Sequence, residues 1–148
     1  MTEGDLRVAC LANFALVRGV DRLLDVAAVL RVRNRTDIRF IVGGTMALSP
    51  SLPGDLGRTG ARGETLADVA ASRGLAPWFQ FLGHVATPES VLTACHALIR
   101  PSREDNAWGR DVIEAQAASL PIVAAGQRDT FVKDGVTGIL LPSSTAAL

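Results

Sequence analysis

From Arg100 to Ala124 the chain reads RPSREDNAWGRDVIEAQAASLPIVA. An apolar strand, Ala97 to Arg100, runs into a polar loop, and Gly109 closes that loop. A helix over Arg110 to Ala118 then carries Glu114, and Pro121 opens a second apolar strand that reaches Ala125. Strands without a polar face have to be covered on both sides, which is the condition of a parallel sheet flanked by helices. In open sheets of this kind ligands bind at the loops that follow the carboxyl ends of strands. The loop after Arg100 gathers an amide, an indole, arginines and acids into one short segment, which is the chemistry of a polar ligand site.

The same alternation continues outward in both directions. Leu6 to Ala12 reads as a buried strand, and Val20, Leu23, Leu24, Ala27 and Leu30 fall on one face of a helix. Ile38 to Val42 is a second strand, closed by Gly43-Gly44. Ser49 to Gly63 is rich in Gly, Pro and Ser and lacks periodicity, so it predicts a mobile loop. Leu66, Val69 and Ala70 mark another helix face, with Gly74 as its left-handed stop. Trp78 to Leu82 is a third strand. Thr87-Pro88-Glu89 starts a helix with a capping hydroxyl, a proline at the first position and an acid in the first turn. Asp134-Gly135 turns the chain into a last strand, Gly138 to Leu141, and the Ser/Thr/Ala stretch ending at Leu148 reads as the start of a further helix. The fold class is therefore α/β: a Rossmann-like, doubly wound parallel sheet with helices on both faces, in one domain.

Composition narrows the function. The chain has 148 residues, 48% of them hydrophobic, and a mean hydropathy of +0.26, which excludes a disordered segment. Fifteen basic residues balance fifteen acidic ones, so no global field favours nucleic acid or an anionic membrane. Lys133 is the one lysine. Cys10 and Cys95 sit in apolar runs and read as free, buried thiols. The two histidines, two cysteines and scattered acids have no metal-ligand spacing, so no metal is expected. No apolar run approaches the roughly 18 residues of a membrane span. The opening Met1-Thr2-Glu3-Gly4-Asp5 lacks the features of a signal peptide, so a cytoplasmic location is expected.

The first strand-to-helix turn narrows the ligand. It runs Leu11-Ala-Asn-Phe-Ala-Leu-Val-Arg-Gly19, without the G-x-G-x-x-G that lets a backbone approach a dinucleotide pyrophosphate, and no P-loop is present. It offers Arg18 beside Gly19 and the following helix, a guanidinium placed to meet a diphosphate with paired donors. A solvated loop arginine would look the same.

Several segments resemble, in order, the C-terminal half of retaining glycosyltransferases of family 4, which have the GT-B fold. Arg18-Gly-Val-Asp-Arg-Leu-Leu24 is similar to their "KGvdrLl", and Phe40-Ile-Val-Gly-Gly44 and Phe81-Leu-Gly-His-Val85 to two of their strand ends. Arg100-Pro-Ser102, Gly109 to Ala115 and Leu120 to Ala124 resemble "PS … G … lEAmA.G.PVVA", and Asp134 to Gly138 matches "DGvtG". The matches span nearly the whole chain. The resemblance implies a nucleotide diphosphate sugar donor, such as a UDP- or GDP-sugar, and no other cofactor. Arg18 and Gly19 would meet the diphosphate, Glu114 the ribose hydroxyls, and Gly126 the phosphates, with His84 near the base. Asn106, Ala107, Trp108 and Gly109 stand where the family's "EGFG" holds the transferred sugar. It also implies a truncated C-terminus and an absent N-terminal acceptor domain, hence little turnover by residues 1–148 alone and a surface prone to self-association.

Three positions depart from the pattern. Asn106 replaces the first acid of the family's pair; it can bond sugar hydroxyls but supplies no negative charge. Glu104 and Asp105 lie just upstream, where a small loop shift would present either. Asn13 replaces a phosphate-binding arginine, and Thr130 replaces an acid. Read without the resemblance, Glu114 is a helix acid able to pair with Arg110, Asn106 a helix cap, Trp108 a packing anchor and His96 a core histidine. The competing function is a non-catalytic or degenerate nucleotide-binding module.

Overall fold

The computed structural model describes residues 4–128 and 130–142. The helix expected after residue 142 lies outside the described residues. Six strands form one sheet: β1 (Leu6–Leu11), β2 (Ile38–Gly43), β3 (Phe79–Gly83), β4 (Ala97–Arg100), β5 (Ile122–Ala125) and β6 (Gly138–Leu141). Their order is β3-β2-β1-β4-β5-β6 and every pairing is parallel. The doubly wound sheet expected from the apolar strands is therefore the observed one.

Side chains alternate across the sheet with the period of two that a strand imposes. Val8, Cys10, Phe40, Val42 and Ile99 belong to one core layer, and Ala9, Ile41, Leu98, Ile122 and Ala124 to the other. The first layer is covered by α1 (Arg22–Val32), α2 (Gly54–Ala61) and α3 (Leu66–Ser72). The second is covered by α4 (Pro88–Leu92) and α5 (Arg110–Ala117) through Leu92, Val112 and Ala115. Leu23, Leu24, Leu66, Leu92 and Leu98 are almost wholly buried. Each such leucine contributes about 1.5–3 kcal/mol relative to an exposed position.

Two expectations are corrected. The stretch Ser49 to Gly63 is not structureless, because α2 occupies Gly54–Ala61 and buries Leu56. Its glycines serve packing: a Cβ on Gly57 would stand 2.0 Å from the Leu52 carbonyl oxygen, and one on Gly60 would stand 2.7 Å from the backbone of Ser49. A composition that usually marks a loop here lets a short helix lie against its own preceding segment. His96 is exposed rather than in the core. It stands one residue before β4, at the amino rim of the sheet, where its Nδ1 accepts the backbone N–H of Arg7 at 3.0 Å.

Other local signals are realised. Thr65 precedes α3 and gives its backbone N–H to the Asp68 carboxylate at 2.7 Å, which holds that carboxyl below its ordinary range. Gly74 takes φ +67° after α3. Pro88 opens α4, although Thr87 makes no side-chain cap. The helix expected from Val20 begins at Arg22, after a 3₁₀ turn over Leu16–Arg18.

Cys10 and Cys95 are free and lie in opposite core layers. Burial, reinforced by Asp111, pushes the Cys10 thiol from 9.0 up to about 12, against the opposing pull of Arg100. The unfolded chain would release this proton above about pH 9 while the native state keeps it, so stability falls as pH rises from about 9 toward 12. The chain has no tyrosine, and Lys133 is its only lysine, so the main other contributor in that window is Cys95, whose thiol is also pushed up by burial. Urea midpoints should decline above pH 9, and Cys10→Ala should flatten the decline. An equally steep decline in that variant would refute the assignment.

Candidate functional site

The sheet order creates the site. The chain steps outward from β1 to β3, returns to the centre at β4 and then steps the other way. Pairing between β1 and β4 ends at Ala9↔Leu98, two residues before β1 does. Loops leaving neighbouring carboxyl ends in opposite directions open a crevice at this switch point. The crevice is a cleft of about 720 Å³, walled by the loops after β1, β2, β3 and β4 and by the first turns of α5.

Six of the nine residues singled out from sequence line this cleft: Arg18, His84, Asn106, Trp108, Gly109 and Glu114. They come from segments nearly a hundred residues apart, and the topology alone brings them together. Arg18 ends the 3₁₀ turn after β1 and is exposed; His84, in the loop after β3, is also exposed. Glu114 is partly buried, with 22% of its side chain accessible, and pairs with Arg110 at 3.2 Å across one helical turn. Arg110 itself is 85% exposed, so that pair is a weak tether.

The other three residues sit behind the wall. Gly19 is buried with φ +70°, and a Cβ there would lie 2.0 Å from the Pro101 carbonyl oxygen. It is where the loop after β1 touches the loop after β4. Ala107 is 2% exposed and packs into the second core layer. Gly126 is buried beneath the β4–α5 loop; a Cβ would stand 3.2 Å from the backbone nitrogens of Asn106 and Ala107.

The alternative readings also resolve. Asn106 caps no helix, because Gly109 occupies the N-cap of α5. Trp108 is 41% exposed and packs at a tilt against Phe131 with centroids 4.3 Å apart, so it is a rim residue rather than a buried anchor. Of the two upstream acids, Asp105 accepts the Gln127 N–H at 2.7 Å, whereas Glu104 lines the cleft. Asn13 lines the cleft as well, but its Oδ1 accepts the Thr45 N–H at 3.0 Å, which ties the loops after β1 and β2 together.

The family model for glycosyl transferases group 1 matches residues 5–148. The chain belongs to the group 1 glycosyl transferases. No curated protein matches it significantly in sequence. Among solved structures, the chain resembles HepE of Anabaena in complex with UDP-glucose, with 23% identity and a TM-score of 0.72. That match covers 94% of this chain and 35% of HepE. It also resembles WaaG, a glycosyltransferase involved in lipopolysaccharide biosynthesis (19% identity, TM-score 0.71, 98% of this chain and 36% of WaaG). A third match is a variant of S. aureus TarM in complex with fondaparinux, α-GlcNAc-glycerol and UDP (19%, 0.73, 96% and 26%). The chain thus has the fold of the Rossmann-like half of GT-B glycosyltransferases, and it spans about a third of the length of HepE and WaaG, less of TarM.

In this group 1 glycosyl transferase domain the two loops flanking the switch point are clamped by residues that sequence reading missed. Arg22, 2% exposed, donates from Nη1 to the carbonyl oxygens of Pro101 and Ser102, each at 3.1 Å. Burial, helped by the neighbouring Arg103, lowers its pKa. Arg103 forks onto Asp21 at 2.8 and 2.7 Å and also donates to the Leu16 carbonyl. Its backbone N–H reaches the Val17 carbonyl at 2.8 Å. These contacts join residues about eighty positions apart, and no local periodicity marks them. Among the described residues no group of three His, Cys, Asp or Glu could hold a metal ion, and no helix is long and apolar enough to cross a membrane.

Proposed function

We propose that this domain binds the nucleotide diphosphate sugar of a retaining glycosyltransferase, in the cleft over the carboxyl ends of β1 and β4. The observation that carries the reading is the convergence of Arg18, His84, Asn106, Trp108, Gly109 and Glu114 on that cleft, in a chain whose family transfers glycosyl groups. HepE, with the same fold, has been solved with UDP-glucose and with UDP. In this reading Glu114 accepts hydrogen bonds from the ribose hydroxyls, and Arg18 meets the diphosphate across the cleft. His84 lies at the base end. The amide of Asn106 and the backbone of Ala107 to Gly109 hold the sugar. Gly19 and Gly126 act from behind by letting the loops close on one another. Transfer then depends on positioning and on stabilising the charge that builds up on the leaving diphosphate. The acceptor side of the reaction, in this proposal, is contributed from outside the domain.

A second reading, a nucleotide-binding module without turnover, is favoured by Asn106. Its amide stands in the cleft where an acid would stabilise positive charge developing on the sugar.

Calorimetric titration with UDP, GDP, ADP and their sugars tests both. Binding of at least one nucleotide is expected, and absence of binding to all of them sinks the first reading. Arg18→Ala should weaken the diphosphate roughly three- to tenfold, the range for losing one exposed charged hydrogen bond, without shifting the melting temperature. Release of sugar from the bound donor separates the readings: a donor-binding domain of an active transferase should show slow hydrolysis, a degenerate module none.

A further inference from the structure

Arg100, which the proposed function leaves unassigned, ends β4 at the centre of the sheet, beside the switch point. Its residue exposure is only 7%, yet it lines the cleft. Its partner is Asp111, in the first turn of α5, and the side chains of the pair are 8% and 11% exposed. The pairing is end-on. Both hydrogen bonds leave from Nη1, at 2.9 Å to Oδ1 and 3.1 Å to Oδ2 of Asp111. A guanidinium held purely as a structural ion pair ordinarily meets a carboxylate as a fork, with two nitrogens on two oxygens. Here Nε is buried and has no partner among the described residues. Buried donors are nearly always paired, so the ion pair with Asp111 leaves this edge of the guanidinium unsatisfied.

Gly109 keeps that arrangement possible. A Cβ there would stand 2.6 Å from Arg100 Nη1 and 2.3 Å from Asp111 Oδ1, so any side chain would displace the pair. Asp111 therefore fixes the guanidinium by one corner and leaves its Nε and Nη2 edge uncommitted. Arg18, exposed, also lines the cleft, on the loop after β1 that touches the loop after β4 at Gly19 and Pro101. Two cations on adjoining loops of one cleft, one buried and one exposed, suit a ligand with neighbouring anionic groups.

We propose that Arg100 is a second anion contact of this cleft, donating from Nη2 to a phosphate oxygen of a nucleoside diphosphate while Asp111 holds it in place. The inference rests on the nucleotide-sugar reading above and adds to it a buried contact at the cleft floor. A rigid, desolvated guanidinium loses little freedom on binding and is weakly hydrated, so it is a stronger anion contact than Arg18.

The test uses the whole chain with UDP, GDP and ADP, their nucleosides and inorganic pyrophosphate. Arg100→Gln should weaken diphosphate binding about tenfold or more and flatten its dependence on salt, while leaving nucleoside binding as in the unsubstituted chain. A folded Arg100→Gln that binds every diphosphate within twofold of the unsubstituted chain overturns the assignment but leaves the nucleotide-sugar reading standing. No nucleotide bound by the unsubstituted chain overturns both. Should Arg100→Gln fail to fold, the unsubstituted chain still decides. The Nε–H resonance of Arg100, identified by its loss in Arg100→Lys, should shift on saturation with the diphosphate and stay put with the nucleoside. A resonance unmoved by the diphosphate overturns the proposal.

Discussion

Replacing Gly19 with alanine is expected to lower the stability of the domain by about 2–5 kcal/mol, the sum of left-handed backbone strain and overpacking. The glycine holds φ +70°, which an L side chain resists. The Cβ would also be driven to 2.0 Å from the Pro101 carbonyl oxygen, a backbone atom that cannot rotate away. Relief requires the loops after β1 and β4 to separate, and those loops are clamped by Arg22 on Pro101 and Ser102 and by Arg103 on Asp21. The melting temperature should fall by roughly 5–20 °C for a domain of this size. Gly19→Asn distinguishes the two causes, because asparagine tolerates the left-handed region but still carries the Cβ. If the contact with Pro101 dominates, asparagine is nearly as damaging as alanine; if backbone strain dominates, it recovers much of the loss. A melting temperature within about 2 °C of the unsubstituted domain for Gly19→Ala would show that the loops are not held together at this point.

Glu114→Ala should act the other way, on binding and not on folding. The carboxylate is partly buried at the cleft wall, and its one side-chain partner among the described residues is the largely exposed Arg110 at 3.2 Å. An exposed pair across one helical turn contributes about 0.3–0.5 kcal/mol, so thermal stability should be almost unchanged. A carboxylate that accepts two ribose hydroxyls in a partly desolvated cleft is worth more. Hydrogen bonds to charged groups contribute about 1.5–3 kcal/mol, which predicts a 10- to 100-fold loss of nucleotide affinity. Glu114→Gln should fall between, since the amide retains one acceptor. The comparison of ribo- with 2′-deoxyribonucleotides gives an independent check, because the deoxy ligand should be penalised in the unsubstituted chain and should lose less than the ribonucleotide on Glu114→Ala. Equal affinity of the unsubstituted chain and Glu114→Ala for the same nucleotide would remove Glu114 from the site while leaving the fold untouched.

The strands were legible because burial on both faces leaves a mostly apolar run, and LRVACL, IRFIVG and ALIR are such runs, each with a single arginine toward one end. Helix α2 was not, because its glycines read as loop signals when they are in fact contact points for the backbone of Ser49 and Leu52. His96 was misplaced for a related reason. An apolar neighbourhood in sequence does not say where along the strand the rim falls, and His96 lies one residue outside it. Arg100 shows the limit most clearly. The apolar run placed it at the end of a strand, but nothing local shows that its side chain is buried and paired with Asp111.

The stretch RPSREDNAWGRDVIEAQAASLPIVA by itself determined the class of fold and placed a polar loop and a helix acid at the carboxyl end of a strand. It could do so because the periods of strand and helix are local, written within a dozen residues. The tertiary structure decided which of those residues share a cleft and which carry it from behind. It put Arg18, His84 and Glu114 on one surface, sent Ala107 into the core, and assigned Asp105 to the Gln127 amide while leaving Glu104 at the cleft. Those outcomes depend on the return of the chain from β3 to the centre at β4 and on contacts such as Arg22 with Pro101 across 79 positions. A switch point is a property of strand order, and strand order is set by packing between segments that are distant in sequence.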